Sequence, residues 1–136
     1  MIERMIYYDV VFDDLGFEAR GRAYTRVEWR QIRRVAMGHQ VDEMALEAWY
    51  FWAFQTDDPH RLIEVQIETI STRQFDEEIR RRFDVTSVPP AKDFVGAKFP
   101  IRTYVVYPTA ERGQALYSIK TRRWRFWQGE VSFAKP

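Results

Sequence analysis

The chain has 136 residues, 46% hydrophobic and 16% aromatic, with a formal net charge of +1. That is ample apolar material for one core and too little length for two, so a single domain spanning residues 1–136 is expected and disorder is excluded. There is no cysteine, which removes disulfides, thiolate chemistry and cysteine-ligated zinc.

No apolar run nears the ~20 residues that a membrane-spanning helix requires. The start, MIERMIYYDV, lacks the basic segment, apolar stretch and cleavage site of a secretory signal. A cytoplasmic protein without membrane contact is the expectation.

In chain order, Met5 to Phe12 is β-branched and aromatic and predicts a strand. Asp13-Asp14-Leu15-Gly16 predicts a turn, because aspartate hydrogen-bonds the local backbone and glycine tolerates unusual dihedral angles. Phe17 to Arg22 and Ala23 to Trp29 form a second extended stretch, with a bend or bulge at Gly21. Trp29, Ile32 and Val35 recur at three-residue spacing, which suits one helical turn or a strand entered through a bend. Ile32 to Gly38 then reads as a strand, and Val41 to Glu47 as a short helix or a loop.

Ala48 to Gln55 (AWYFWAFQ) is apolar at every alternate position on both sides, so a strand there needs cover on both faces. Asp57-Asp58-Pro59-His60 is a turn. Arg61 to Thr69 alternates as a strand and completes a hairpin. Ser71 to Phe83 is the main helix: Ser71 as N-cap, Gln74 closing a capping box, Ile70 and Phe75 as a staple. Phe75, Ile79 and Phe83 make its apolar stripe.

Residues 84–100 carry three prolines and predict an irregular connection. Ile101 to Tyr107, Leu116 to Lys120 and Arg123 to Trp127 read as strands, with turns at Pro108–Gln114 and Gln128–Glu130. In the last of them Trp124 and Phe126 share one face and Arg123, Arg125 and Trp127 the other. Val131 and Phe133 resume the period of two beyond the Gln128–Gly129 turn.

Charge falls in blocks. Residues 1–19 carry one base and five acids, and 20–40 carry six arginines and one acid. Residues 41–78 carry two bases and ten acids, and 79–136 carry twelve and four. Such blocks either build opposed surface patches that steer a partner or cancel by pairing between strands.

Two strands around the Asp13-Asp14 turn, the Trp29–Ile32–Val35 segment, a hydrophobic hairpin and the helix Ser71–Phe83 follow one another in residues 5–83. This order resembles the short bacterial pleckstrin-homology-like proteins. The resemblance implies an α+β domain with a mostly antiparallel curved sheet or partly open barrel, plugged by one helix at 71–83. The strands after residue 83 are additional to that pattern. It further implies protein binding more than phosphoinositide binding, since Asp13-Asp14 stands where a basic hairpin turn would hold a phosphate. Some proteins of this kind are immunity partners of secreted toxins.

Chemistry is sparse. His39 and His60 lie in no nucleophile or metal motif, and the glycines form no phosphate-cradling loop. Glu64 and Glu68 share a strand face and could run acid–base chemistry, but no lysine occurs before residue 92 and a solvated strand face explains them.

The preferred reading is therefore a non-enzymatic, cofactor-free protein-binding module, most concretely an immunity or inhibitor protein covering a basic toxin site. Its candidate contact residues are the acids Asp42, Glu43, Glu47, Asp57 and Asp58, with Arg123, Arg125 and Trp127. A single-stranded nucleic-acid module using arginine and aromatics and a small carboxylate-dependent enzyme are the alternatives. Homodimerisation is open, because so many aromatics can exceed what one core hides.

Overall fold

The computed structural model describes residues 2–42, 47–67, 69–85, 101–122 and 125–135. Its strands are β1 (Glu3–Tyr7), β2 (Asp9–Phe12), β3 (Gly16–Arg20), β4 (Tyr24–Glu28), β5 (Ile32–Asp42), β6 (Glu47–Thr56) and β7 (Arg61–Gln66). After the helix α1 (Ile70–Arg82) come β8 (Ile101–Tyr107), β9 (Tyr117–Arg122) and β10 (Arg125–Phe133). A single 3-10 turn, Trp29–Gln31, joins β4 to β5.

The strands form three sheets: β1-β7-β6-β5-β8, β2-β3-β4 and β10-β9. All pairings are antiparallel except β1 with β7. The protein is thus an α+β fold, mostly antiparallel, whose sheets do not close into a barrel.

The five-stranded sheet is the middle layer. One face carries Val35, Met37, Trp52, Phe54, Ile63 and Val65, which pack with Val10, Phe17 and Val27 of the β2-β3-β4 sheet and Phe75 and Ile79 of α1. The other carries Ala36, Phe51, Ala53, Leu62 and Val105, which pack with Leu116, Tyr117 and Val131 under the β9–β10 hairpin. The both-sides cover predicted for Ala48–Gln55 is present: Phe51, Trp52, Ala53 and Phe54 are all fully buried.

Several elements differ from the sequence reading for identifiable reasons. The Met5–Phe12 strand is two strands, because Tyr8 marks a change of partner: β1 pairs with β7 and β2 with β3. The second extended stretch reverses at 21–23, making β3 and β4 a hairpin. Thr69, not Ser71, caps the helix. The Thr69 amide donates to Thr72 Oγ1 at 2.8 Å and the Thr72 amide to Thr69 Oγ1 at 3.3 Å, while the Ser71 hydroxyl donates to Asp9 Oδ1 at 2.8 Å. The helix stripe is as predicted, with Phe75 and Ile79 fully buried.

Gln128 and Gly129 are no turn. They lie within β10, where the register shifts between Arg125 and Gly129. Of 41–47, Val41 and Asp42 extend β5 and Glu47 opens β6; residues 43–46 lie outside the described residues, as do Glu68 and most of the 84–100 connection. Among the described residues, no helix is long and apolar enough to cross a membrane.

Gly38 faces Phe51 across β5 and β6, and a Cβ there would stand 2.0 Å from the Phe51 ring. Since Phe51 is fully buried and cannot swing out, Gly38→Ala is expected to destabilise by about 1–3 kcal/mol through overpacking. A denaturant titration reads this as a lower midpoint at unchanged slope.

Candidate binding surface around the Trp29 turn

Glu28 to Gln31 carries the chain from the three-stranded sheet to the five-stranded one, and a cleft lies on each side of it. The Trp29 indole N–H donates to the Asp13 carbonyl at 3.0 Å, and the Trp29 amide to the Leu15 carbonyl at 3.0 Å. These bonds hold the Trp29 turn against the Asp13–Gly16 turn. The latter is fixed by Asp13, whose Oδ1 accepts the Leu15 and Gly16 amides at 2.9 and 3.0 Å and the Arg26 guanidinium at 2.9 Å.

The first cleft, about 410 Å³, is lined by Asp14, Leu15, Glu28, Trp29, Arg30 and Arg82. The Arg82 guanidinium sits 4.4 Å from the Trp29 ring centroid, a cation–π contact. The inner side of Trp29 packs against Phe17 and Phe83, so an indole anchored in the core offers its rim to the surface. Leu15 stands 72% exposed beside it.

The second cleft, about 390 Å³, is bordered by Thr25, Arg26, Val27, Gln31, Thr56, Asp57, Asp58, Arg61 and Ile63. Asp57 and Asp58, two of the predicted contact residues, are therefore in a cleft. The Asp57 side chain pairs with Arg33, and Asp58 with Arg61 at 3.6 Å.

The other predicted contact residues are not brought to them. Asp42 and Glu47 are register partners where β5 meets β6, at the opposite end of a ten-residue strand from Asp57, roughly 30 Å away at the strand rise. The four described acids therefore do not come together at one place. Glu43 and Arg123 lie outside the described residues, and Arg125 and Trp127 are placed as backbone of β10. Sequence reasoning missed Leu15, Arg26, Arg61 and Arg82 as neighbours of this surface, though Trp29 already stood out.

Five of the six arginines of the basic block pair with carboxylates, Arg22 being the exception among the described residues. Arg20 pairs with Glu18, Arg26 with Asp13, Arg30 with Glu28, Arg33 with Asp57, and Arg34 with Glu111 at 3.8 Å. Four of these pairs are exposed and stabilise little, while Arg34 is buried beside Glu111; the main effect of the exposed pairs is to weaken the field that the free arginines would project. A phosphate backbone approaching here would have to displace carboxylates.

Glu64 lies in a different environment from the solvated face expected of it. It is fully buried, its Oε1 accepting the Tyr117 hydroxyl at 2.6 Å and the Arg4 Nη2 at 3.3 Å, and its Oε2 accepting Arg4 Nε. Burial pushes the Glu64 carboxyl up, against the pull of Arg4 and Tyr117. Burial and the facing carboxylate push the Tyr117 hydroxyl up as well. The Arg4 guanidinium and the Tyr117 hydroxyl both donate to Glu64, so the cluster ties β1, β7 and β9 together.

No protein-family model matches the chain, and no curated protein or solved structure matches it.

Two outcomes follow from this geometry. Removing the charge in Glu64→Gln leaves Arg4, whose side chain is 23% exposed, half-compensated, and is expected to destabilise by about 2–4 kcal/mol. The apolar triple Arg4→Met, Glu64→Leu and Tyr117→Phe, which also removes the hydroxyl that Glu64 accepts, recovers most of that loss, measured by thermal and chemical unfolding. The Arg26 guanidinium and the two turn amides hold Asp13 down at about 2. A depressed carboxyl stabilises above its unfolded value and stops doing so as pH falls through the folded one. The Asp13 carboxyl signal in an NMR titration should therefore move near pH 2, and in Arg26→Ala nearer the ordinary value.

Proposed function

We propose that this chain is a non-enzymatic protein-binding module, most concretely an immunity or inhibitor protein that covers a basic site on a toxin or effector in the cytoplasm. The observation that carries the reading is the pair of clefts flanking Glu28–Gln31. One offers Trp29, Leu15 and Arg82, the residue chemistry of protein interfaces, and the other Asp57 and Asp58. Neutralised arginines favour a protein partner over nucleic acid, because a binder of phosphates needs unpaired positive charge.

The burial of Glu64 against Arg4 and Tyr117 turns the most reactive-looking carboxylate into a structural one. The pleckstrin-like resemblance supports the same reading, with the three-stranded and five-stranded sheets as halves of a barrel left open along β4.

The test is crosslinking in the native host, followed by titration of the purified partner. Leu15→Ala is expected to weaken binding about tenfold while changing stability by no more than about 0.5 kcal/mol, since Leu15 is exposed. Expression of the chain should also relieve any toxicity of that partner. Turnover in nuclease, phosphatase or hydrolase screens, with no protein partner recovered, would overturn the proposal.

A further inference from the structure

The cleft that holds Asp57 and Asp58 runs along the edge of a strand. Thr25, Arg26 and Val27 are consecutive in β4, so their side chains point to alternate faces, yet all three border it. A space touched by both faces of one strand lies at its side, where the backbone is. Among the described residues β4 pairs with β3 alone. In an antiparallel ladder, alternate residues turn their N–H and C=O to opposite sides. The Trp29 amide on the Leu15 carbonyl and the Gly21 amide on the Ala23 carbonyl set the phase, so Thr25 and Val27 face β3 while Tyr24, Arg26 and Glu28 face away, with the Glu28 amide taken by Gln31 Oε1 at 2.9 Å; Arg26 is the one of the three that borders the cleft.

The side chains here are already engaged. The Thr25 hydroxyl shares a hydrogen bond with the Tyr7 hydroxyl on the buried face, and Arg26 forks onto Asp13 on the exposed one. What β4 has left to offer is main chain. Natural proteins protect such edges with proline, lysine, bulges or a covering segment. The stretch Tyr24–Glu28 has neither proline nor lysine, and its register with β3 runs unbroken from Gly16↔Glu28 to Arg20↔Tyr24.

We propose that this cleft takes an extended peptide segment of a protein partner, which adds along β4 as a fourth strand of the β2-β3-β4 sheet. The inference rests on the protein-binding reading and specifies its mode. Unpaired backbone groups at a strand edge are matched only by another extended backbone, with side-chain pockets supplying selectivity.

Here the selectivity is of two kinds. Alternate side chains of the incoming strand turn toward Val27 and Ile63, which border the cleft and are buried, and call for apolar residues. At the β6–β7 turn the side chains of Asp57 and Asp58 are each 47% exposed. They complement a lysine or arginine at that end of the segment, which can share them with Arg33 and Arg61.

The experiment pans a phage-displayed library of ten-residue peptides against the full chain, then synthesises and titrates the enriched sequences. The expected binders alternate apolar and polar residues and carry a flanking lysine or arginine. On binding they slow hydrogen exchange at alternate amides of Tyr24–Glu28. Thr56→Trp, which fills the cleft from the opposite wall, should weaken them at least about tenfold with the melting curve preserved.

If that variant fails to fold, Asp57→Lys with Asp58→Lys on the exposed turn replaces it, with the same loss expected. Absence of binders, binders that protect no β4 amide, or affinity unchanged in the folded variants overturns the proposal. So does a concentration-dependent dimer in light scattering that Thr56→Trp abolishes, since the occupant would then be a second copy of this chain. A crosslinked partner that binds without protecting β4 overturns this mode alone and leaves the protein-binding reading standing.

Discussion

The fold is organised by one strand that cannot face water on either side. Phe51, Trp52, Ala53 and Phe54 alternate across β6, and each is fully buried. Burying a side chain of the Phe class is worth about 1.5–3 kcal/mol, so a one-layer structure would forfeit Trp52 and Phe54 on one face or Phe51 on the other. The chain therefore supplies two covers, the β2-β3-β4 sheet with α1 on one face and the β9–β10 hairpin on the other.

Each cover is fixed by a polar pin. On the helix side the Trp52 indole donates to Asp76 Oδ1 at 2.7 Å, and Arg80 donates to the other oxygen at 3.0 Å. On the hairpin side Glu64 holds Tyr117. Apolar contact is non-directional; these bonds give each cover a definite seat.

The same economy governs charge. In the basic 20–34 segment, Arg20, Arg26, Arg33 and Arg34 lie against acids from three other places: Asp13 and Glu18, the β6–β7 turn, and Glu111. α1 neutralises itself, with Glu78 bridging to Arg81 and Arg82. What remains at the surface around Trp29 is shape, aromatic rim and backbone, beside the half-exposed Asp57 and Asp58.

Periodicity made some of this legible before any coordinates. The β6–β7 hairpin, the Phe75–Ile79 stripe and the limits of β8 follow from local spacing and turn residues, which act within a few positions. Three features were illegible because their causes are distant in sequence. The break at Tyr8 exists because β1 pairs in parallel with β7, 58 residues away at Glu3↔Arg61. Glu64 shows the alternation of a solvated face, yet the layer over it comes from residues 116–133. The polar period is real, and it is met by Arg4 and Tyr117 in place of water. The helix cap slipped by two residues because Ser71 and Thr69 both offer a hydroxyl, and Asp9, brought from β2, takes the one from Ser71.

The open edge of β4 follows from the same topology. A barrel would need β4 to find a second neighbour in the five-stranded sheet. β7, the nearest candidate at the β6–β7 end, is already flanked by β1 and β6. The 3-10 turn Trp29–Gln31 then lifts the chain from one sheet to the other, and the Asp57 amide donating to the Gln31 carbonyl at 2.9 Å anchors it there. The cleft lies between Thr25–Val27 of β4 and Arg61 and Ile63 of β7, so the strand that bounds it opposite β4 is one already paired on both sides, with β1 and with β6.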